Sequence, residues 1–141
     1  MIQRKQTLWL LIAAIAAFLL TRLPLYKGVM PGDVVKYFTA TENLLLFATT
    51  TIAGLLGFAA IFLFKNRKLQ LRLAVFGLIA SIGLIALEVL EIGAFKANDI
   101  TMTGTYYWGA LLPIAMTVLF FLAIAGIRRD EKLIKSLERF R

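Results

Sequence analysis

The stretch Asn43–Phe64, NLLLFATTTIAGLLGFAAIFLF, contains no charged side chain. As a helix rising about 1.5 Å per residue it covers about 30 Å, the thickness of a bilayer's hydrocarbon. Three further stretches read the same way: Leu8–Leu23, with Arg22 near its end; Leu73–Phe95, interrupted only by Glu88 and Glu91; and Tyr106–Ile127. Short charged loops join them. Hydrophobic residues make up 60% of the 141, and the mean hydropathy is +0.83. A soluble domain of this length could not bury so much apolar surface, and the exposed remainder would aggregate. The pattern predicts an all-α membrane protein. It is a four-transmembrane-helix bundle that uses residues 1–141 as one membrane domain, with helices at about 7–23, 43–64, 72–95 and 106–127.

The formal net charge is +8, and its placement decides what it means. With the N-terminus inside, twelve of the sixteen Lys and Arg residues fall on inner segments, against Arg22, Lys27, Lys36 and Lys96 outside. Short loops obey the positive-inside rule, so both termini are expected in the cytoplasm. Lys65, Arg67, Lys68, Arg72, Arg128, Arg129, Lys132, Lys135 and Arg139 then face anionic lipid headgroups or a membrane-protein partner. Each basic residue near the surface contributes on the order of 1 kcal/mol to membrane attraction. Membrane lipid, not nucleic acid, is the expected partner. The first segment resembles a signal peptide, with Arg4-Lys5 before the apolar run, but Thr21-Arg22-Leu23-Pro24 lacks the small residues a cleavage site needs. An uncleaved first helix is expected.

Between the spans, Pro24 should end the first helix. Pro31-Gly32 suits the centre of a tight turn, so Leu25–Glu42 is expected to form either a short hairpin or an irregular loop. Ile100–Tyr107 (ITMTGTYY) has strand-like composition and can pair with that loop, ahead of an aromatic belt at Tyr106, Tyr107 and Trp108. Thr39 and Glu42 have capping-box spacing for the second helix. Gly54 with Gly57, and Gly77 with Ser81, place small residues on one helix face, which favours close packing of backbones. Pro113 predicts a kink in the outer half of the fourth helix. Beyond Ile127 the charged tail 128–141 carries Leu133, Ile134, Leu137 and Phe140 at helical spacing, which predicts an amphipathic cytoplasmic helix. That helix lies on the inner leaflet, packs on a partner, or frays.

Candidate chemistry is sparse. Cysteine and histidine are absent, which removes thiol nucleophiles, sulfur ligands and the usual neutral-pH base. No cofactor or metal site is expected. Thr49-Thr50-Thr51 suits hydrogen bonding to its own helix better than a polar path. Glu88 and Glu91 are the only carboxylates inside an apolar span. Fifteen residues beyond Leu73, Glu88 stands about 22 Å along its helix, in the outer third of the membrane. An intramembrane acid invites a functional reading: a proton relay, or a site for a cation or a cationic headgroup. The structural reading pairs Glu88 with Arg22, or gives it hydrogen bonds from Tyr106 or Tyr107, and lets Glu91 reach the interface. Glu88, Glu91 and Arg22 therefore form the candidate intramembrane site.

Three segments carry a resemblance: MIQRKQTLWL at Met1–Leu10, FLFKNRKLQLRL at Phe62–Leu73 and IRRDEKLIKSLERFR at Ile127–Arg141. Together they make the chain similar, over nearly its full length, to a Bacteroidota family of small four-helix membrane proteins known as a domain of unknown function. Lys5 departs from the pattern, which has an apolar residue there. The resemblance implies a bacterial inner-membrane location and brings no activity, cofactor or catalytic residue. It marks the cytoplasmic surface as distinctive, whereas the chemistry marks Glu88 on the outer side. Three functions follow as expectations. The first is a non-enzymatic accessory or scaffold that binds a membrane partner or lipid. The second is a small transporter or ion-coupled module using Glu88. The third is a lipid-modifying enzyme using Glu88 and Glu91 as acid and base.

Overall fold

The computed structural model describes residues 2–97 and 103–139. Four helices dominate: α1 (Ile2–Leu20), α2 (Leu44–Phe62), α3 (Arg67–Ala97) and α4 (Leu112–Arg139). Strands β1 (Pro24–Met30), β2 (Val34–Thr39) and β3 (Thr103–Tyr106) form a small antiparallel sheet in the order β2-β1-β3. Each helix packs on two others: α1 on α2 and α4, α3 on α2 and α4. Three helical segments, Leu44–Phe62, Arg67–Ala97 and Trp108–Arg139, are long and apolar enough to cross a membrane, and Lys5–Leu20 is a shorter apolar helix. A third or less of each long apolar window is buried against the rest of the chain. Leu44, Leu55, Phe62, Phe76, Leu90 and Phe121 are all exposed, so the helices present an apolar belt that the chain itself does not cover.

Small side chains make the interior. Ala13, Ala53, Ala60, Ala74 and Ala123 are fully buried, and one large ring, Phe120, sits among them with no exposure. A Cβ on Gly77 of α3 would fall 2.6 Å from Phe120 Cζ, and one on Gly57 of α2 would fall 3.3 Å from the same atom. The ring of α4 thus occupies space that only glycine leaves free on two neighbouring helices. Gly54 lies against Ala17 of α1, where an added Cβ would approach to 2.9 Å. The glycines read as packing signals therefore sit at helix contacts. Ser81 joins them: it accepts a hydrogen bond from Thr117 of α4 at 3.1 Å and donates to Leu78 O at 2.8 Å. Thr49, Thr50 and Thr51 donate to the carbonyls of Leu45, Leu46 and Phe47, the backbone role expected of them.

The element ends differ from the sequence reading in instructive ways. Thr39 makes no capping hydrogen bond; it precedes a 3-10 turn, Ala40–Glu42. Asn43 caps α2 instead, its side-chain oxygen accepting from Leu45 N at 2.9 Å and Leu46 N at 3.2 Å. That oxygen satisfies two otherwise unpaired N–H groups at once. Asn66 likewise accepts from Leu69 N at 3.3 Å, which lets α3 begin at Arg67, five residues before the expected start. The expected kink at Pro113 gives way to a helix start. A 3-10 turn, Trp108–Leu111, precedes α4, and Pro113 falls in its first turn, where a missing N–H costs nothing. No Gly or Pro interrupts 127–139, so the charged tail simply extends α4 to Arg139. Leu133, Ile134 and Leu137 stay exposed along it. Phe140 and Arg141 lie outside the described residues.

Leu25–Glu42 takes the hairpin alternative. β1 and β2 pair in register from Tyr26↔Phe38 to Met30↔Val34, and Pro24 opens β1, a strand position that tolerates proline. The turn bends through Gly32 (φ 95°) and Asp33 (φ 60°), two successive left-handed residues of the types that accept this conformation best. β3 pairs with the other edge of β1, from Tyr26↔Tyr106 to Val29↔Thr103. Asn98, Asp99 and Ile100–Met102 lie outside the described residues. The sheet docks on the end of α3 through aromatics: Tyr26 meets Phe95 at 6.1 Å and Tyr106 at 5.6 Å, edge to face, and Phe38 meets Phe95 at 5.3 Å.

The packing at Phe120 makes a direct prediction. Gly77→Ala should lower stability in detergent by about 1–3 kcal/mol, because the ring must move. Phe120→Leu in the same chain should recover part of that loss. Unfolding of the two single variants and the double variant measures the coupling, and strictly additive losses would contradict this packing.

Candidate functional site

On α3 the residues Gln70, Ala74, Gly77, Ser81, Leu84, Glu88 and Ile92 recur at steps of three and four and are all buried. Glu88 is thus on the stripe that faces the other helices, near the sheet end. Its relative exposure is 5%. Glu88 is among the residues that line a cavity of about 690 Å³. One wall is Ile85 and Val89 of α3. The opposite wall is Trp108, Ala110, Leu111 and Ile114, from the 3-10 turn and the start of α4. The end of β3 and the residue after it supply Thr105, Tyr106 and Tyr107. Glu88 is the only charged side chain in this lining. Gly109 holds the turn down: a Cβ there would press on Pro24 C at 3.0 Å and Leu23 O at 3.1 Å, so the turn packs closely against the start of β1.

Glu88 Oε1 is buried and has no hydrogen-bond partner. The two structural partners expected of it are accounted for. Tyr106 and Tyr107 share its cavity without bonding that oxygen. Arg22 is exposed, with its guanidinium 5.5 Å from the centre of the Phe18 ring, and the only ion pair among the described residues is Lys135–Glu131 at 3.3 Å. The structure therefore does not bring Arg22 to either glutamate. Glu91 is half-buried and lies outside the cavity lining. Three residues on a helix turn about 300°, so Glu91 sits about 60° around α3 from Glu88. Above the cavity, Lys96 Nζ lies 4.9 Å from the ring centres of both Tyr26 and Tyr106.

The opposite end of the molecule is basic. A groove of about 800 Å³ runs between Phe64, Lys65, Asn66, Arg67 and Lys68 on one side and Glu131, Ile134, Lys135 and Glu138 of α4 on the other. Four of the nine basic residues singled out in the sequence share this groove; Arg72, Arg128, Arg129, Lys132 and Arg139 are exposed outside its lining. The acidic residues on the α4 wall temper its charge.

Three buried polar residues went unnoticed in the sequence. Gln6 Nε2 of α1 donates to Asp130 Oδ2 of α4 at 2.5 Å, and Asp130 Oδ1 is buried without a partner. Gln70 Nε2 of α3 donates to Ala60 O of α2 at 3.0 Å. A signal for them exists. Gln6 lies four residues before Leu10 on the stripe that continues through Ala13, Ala17 and Leu20, and Asp130 continues Phe120, Ala123 and Ile127. Among the described residues no three His, Cys, Asp or Glu side chains cluster as a metal site would.

The structure defines a mostly helical protein with three helices fit to cross a membrane and a small sheet at one end. The family model described as Domain of unknown function (DUF4293) matches residues 2–140, and the chain belongs to that family. No curated protein matches the chain. No solved structure matches it either.

The two buried acids should respond in opposite ways. Glu88→Met replaces a buried oxygen that has no partner with apolar atoms of similar length, so it should raise stability, by about 1–3 kcal/mol. Gln6→Leu removes the partner of a buried carboxylate and should cost a similar amount. Thermal unfolding in one detergent tests both. A Glu88→Met protein less stable than its parent would return Glu88 to a structural role.

Proposed function

We propose that this chain is a multi-pass protein of the bacterial inner membrane: a bundle of four transmembrane helices, with both ends of the chain in the cytoplasm, that acts as a non-enzymatic lipid- or partner-binding accessory. The observation that carries this reading is the arrangement along the helix axes. An uncovered apolar belt separates a sheet end edged by Tyr106, Tyr107 and Trp108 from an end rich in Lys and Arg. Aromatic residues favour the membrane–water interface, and Lys and Arg favour the cytoplasmic side. The sheet is then extracytoplasmic. Lys5–Leu20 of α1 spans about 24 Å, less than the hydrocarbon. Lys5 and Arg22, which flank it, make up the difference by reaching toward the headgroups.

Against enzyme chemistry stands the sequence itself, which offers neither histidine nor cysteine, and the separation of Glu88 from Glu91, which leaves no second carboxylate in the cavity. The exposed Lys65, Lys68, Arg128, Arg129 and Lys132 suit anionic headgroups of the inner leaflet. The apolar face of Leu133, Ile134 and Leu137 suits the same leaflet or a partner helix.

A second reading has one observation in its favour. Glu88 and Asp130, toward opposite ends of the helices, each keep a buried oxygen without a partner, as acids in an ion-coupled module would. Fully buried Phe120 and its contacts with Gly57 and Gly77 separate the two, so this reading requires that ring to move. Proton or cation flux into liposomes, lost in Glu88→Gln, supports it; flux equal to that of empty liposomes removes it.

The leading reading is tested in two steps. Reporter tags at the two ends should both report from the cytoplasm, and opposite compartments would overturn the topology. Extraction into native lipid particles should recover a stoichiometric lipid or protein companion; repeated recovery of the chain alone would overturn the accessory function.

A further inference from the structure

Resting on the lipid-binding reading, we infer that the cavity over Glu88 is a headgroup site for an extracytoplasmic-leaflet phospholipid bearing a primary ammonium, of the phosphatidylethanolamine class. Four observations lead there. The first is the charge: Glu88 is the single charged group in the lining, and its sign selects a cation. The second is the unpartnered Oε1. A buried carboxylate oxygen without a hydrogen bond calls for a donor. A primary ammonium has three N–H donors, whereas a trimethylammonium has none.

The third is the lining beside the acid. Trp108 and Tyr107 line the same space, and the faces of such rings attract an ammonium that comes within about 6 Å; Tyr106 lines it too, with the Lys96 ammonium already 4.9 Å from its ring centre. The fourth is where the cavity opens. Val89, Leu111 and Ile114 line it and are also 59%, 56% and 50% exposed on the apolar belt. The opening therefore faces acyl chains rather than water, which favours a lipid over a soluble amine or an inorganic ion. A volume of about 690 Å³ is far larger than a bare cation needs and falls within the range of small-molecule sites.

The test uses the whole chain in bilayers containing equal parts of ethanolamine, choline and glycerol phospholipids of one acyl composition. Native mass spectrometry of the released protein reads the lipid retained one-to-one. Ethanolamine lipid should be enriched at least about fivefold over each competitor, which is about 1 kcal/mol of preference. Glu88→Gln keeps shape and volume but loses the charge and should return the adducts to the bulk ratio. Glu91→Gln, just outside the cavity, should leave the enrichment intact, and melting curves confirm that both variants fold. Adducts at the bulk ratio in the parent protein, or enrichment that survives Glu88→Gln, overturn this site and leave lipid binding standing. Absence of retained lipid from every variant overturns the lipid-binding reading itself.

Discussion

The helices close around one ring. Phe120 is the largest side chain in the interior with no exposure, and it reaches the interior only because α2 and α3 present Gly57 and Gly77 to it. In water, apolar burial would drive such helices together almost regardless of shape. The long apolar helices are fit to cross a membrane, and among acyl chains that drive would be nearly absent, with close contact between well-fitted surfaces in its place. The alanines at 13, 53, 60, 74 and 123 serve that end. They thin the helices where they touch, so that one bulky group is gripped from several sides. With the helices so fixed, the ends of α3 and α4 fall beside the sheet at one pole and beside each other at the basic pole.

Polar groups inside this packing are few, and each is treated differently. Ser81 and Thr117 bond to each other and to their own helices. Gln70 reaches across to a backbone carbonyl. Asp130 takes a bond from Gln6, which ties α1 to α4 where both approach the charged end. These are the arrangements expected of buried polar atoms that serve the fold. Asp130 Oδ1 and Glu88 Oε1 depart from the pattern, and at Glu88 neither the rings beside it nor any basic side chain has been recruited to that oxygen.

Much of this architecture was legible from residue patterns. The apolar stretches, the small residues at helical spacing and the backbone role of Thr49–Thr51 follow from local chemistry that the chain cannot easily evade, whereas Pro31-Gly32 fits a hairpin and an irregular loop alike and the pairing of β1 with β2 decides it. The errors fall where tertiary context chooses between two local options. Thr39 and Asn43 both suit a helix start, and Asn43 prevails because β2 already holds Thr39 in its ladder. Pro113 suits either a kink or a first turn, and the pairing of β3 with β1 decides it by delaying the start of α4. Gln6 and Asp130 lie on helical stripes that the sequence displays, but each sits among charged neighbours, Arg4 and Lys5 or Arg128, Arg129 and Glu131, which mask the stripe.

Glu88 and Glu91 show the limit most clearly. Three residues apart, they share a broad face of an isolated helix, and only the small-residue line of Gly77 and Ser81, which continues to Glu88, hints at a difference. The separation comes from packing. Ser81, Leu84, Glu88 and Ile92 form the buried line of α3, and an offset of about 60° is enough to carry Glu91 out of it. A broad face that a single helix presents becomes, between neighbours, a narrow stripe and its shoulders. The distinction matters for chemistry because it leaves one carboxylate in the cavity instead of two. Two would share a proton and suit acid–base work. One, beside aromatic rings and exposed apolar side chains, suits the lipid-borne cation proposed for this cavity.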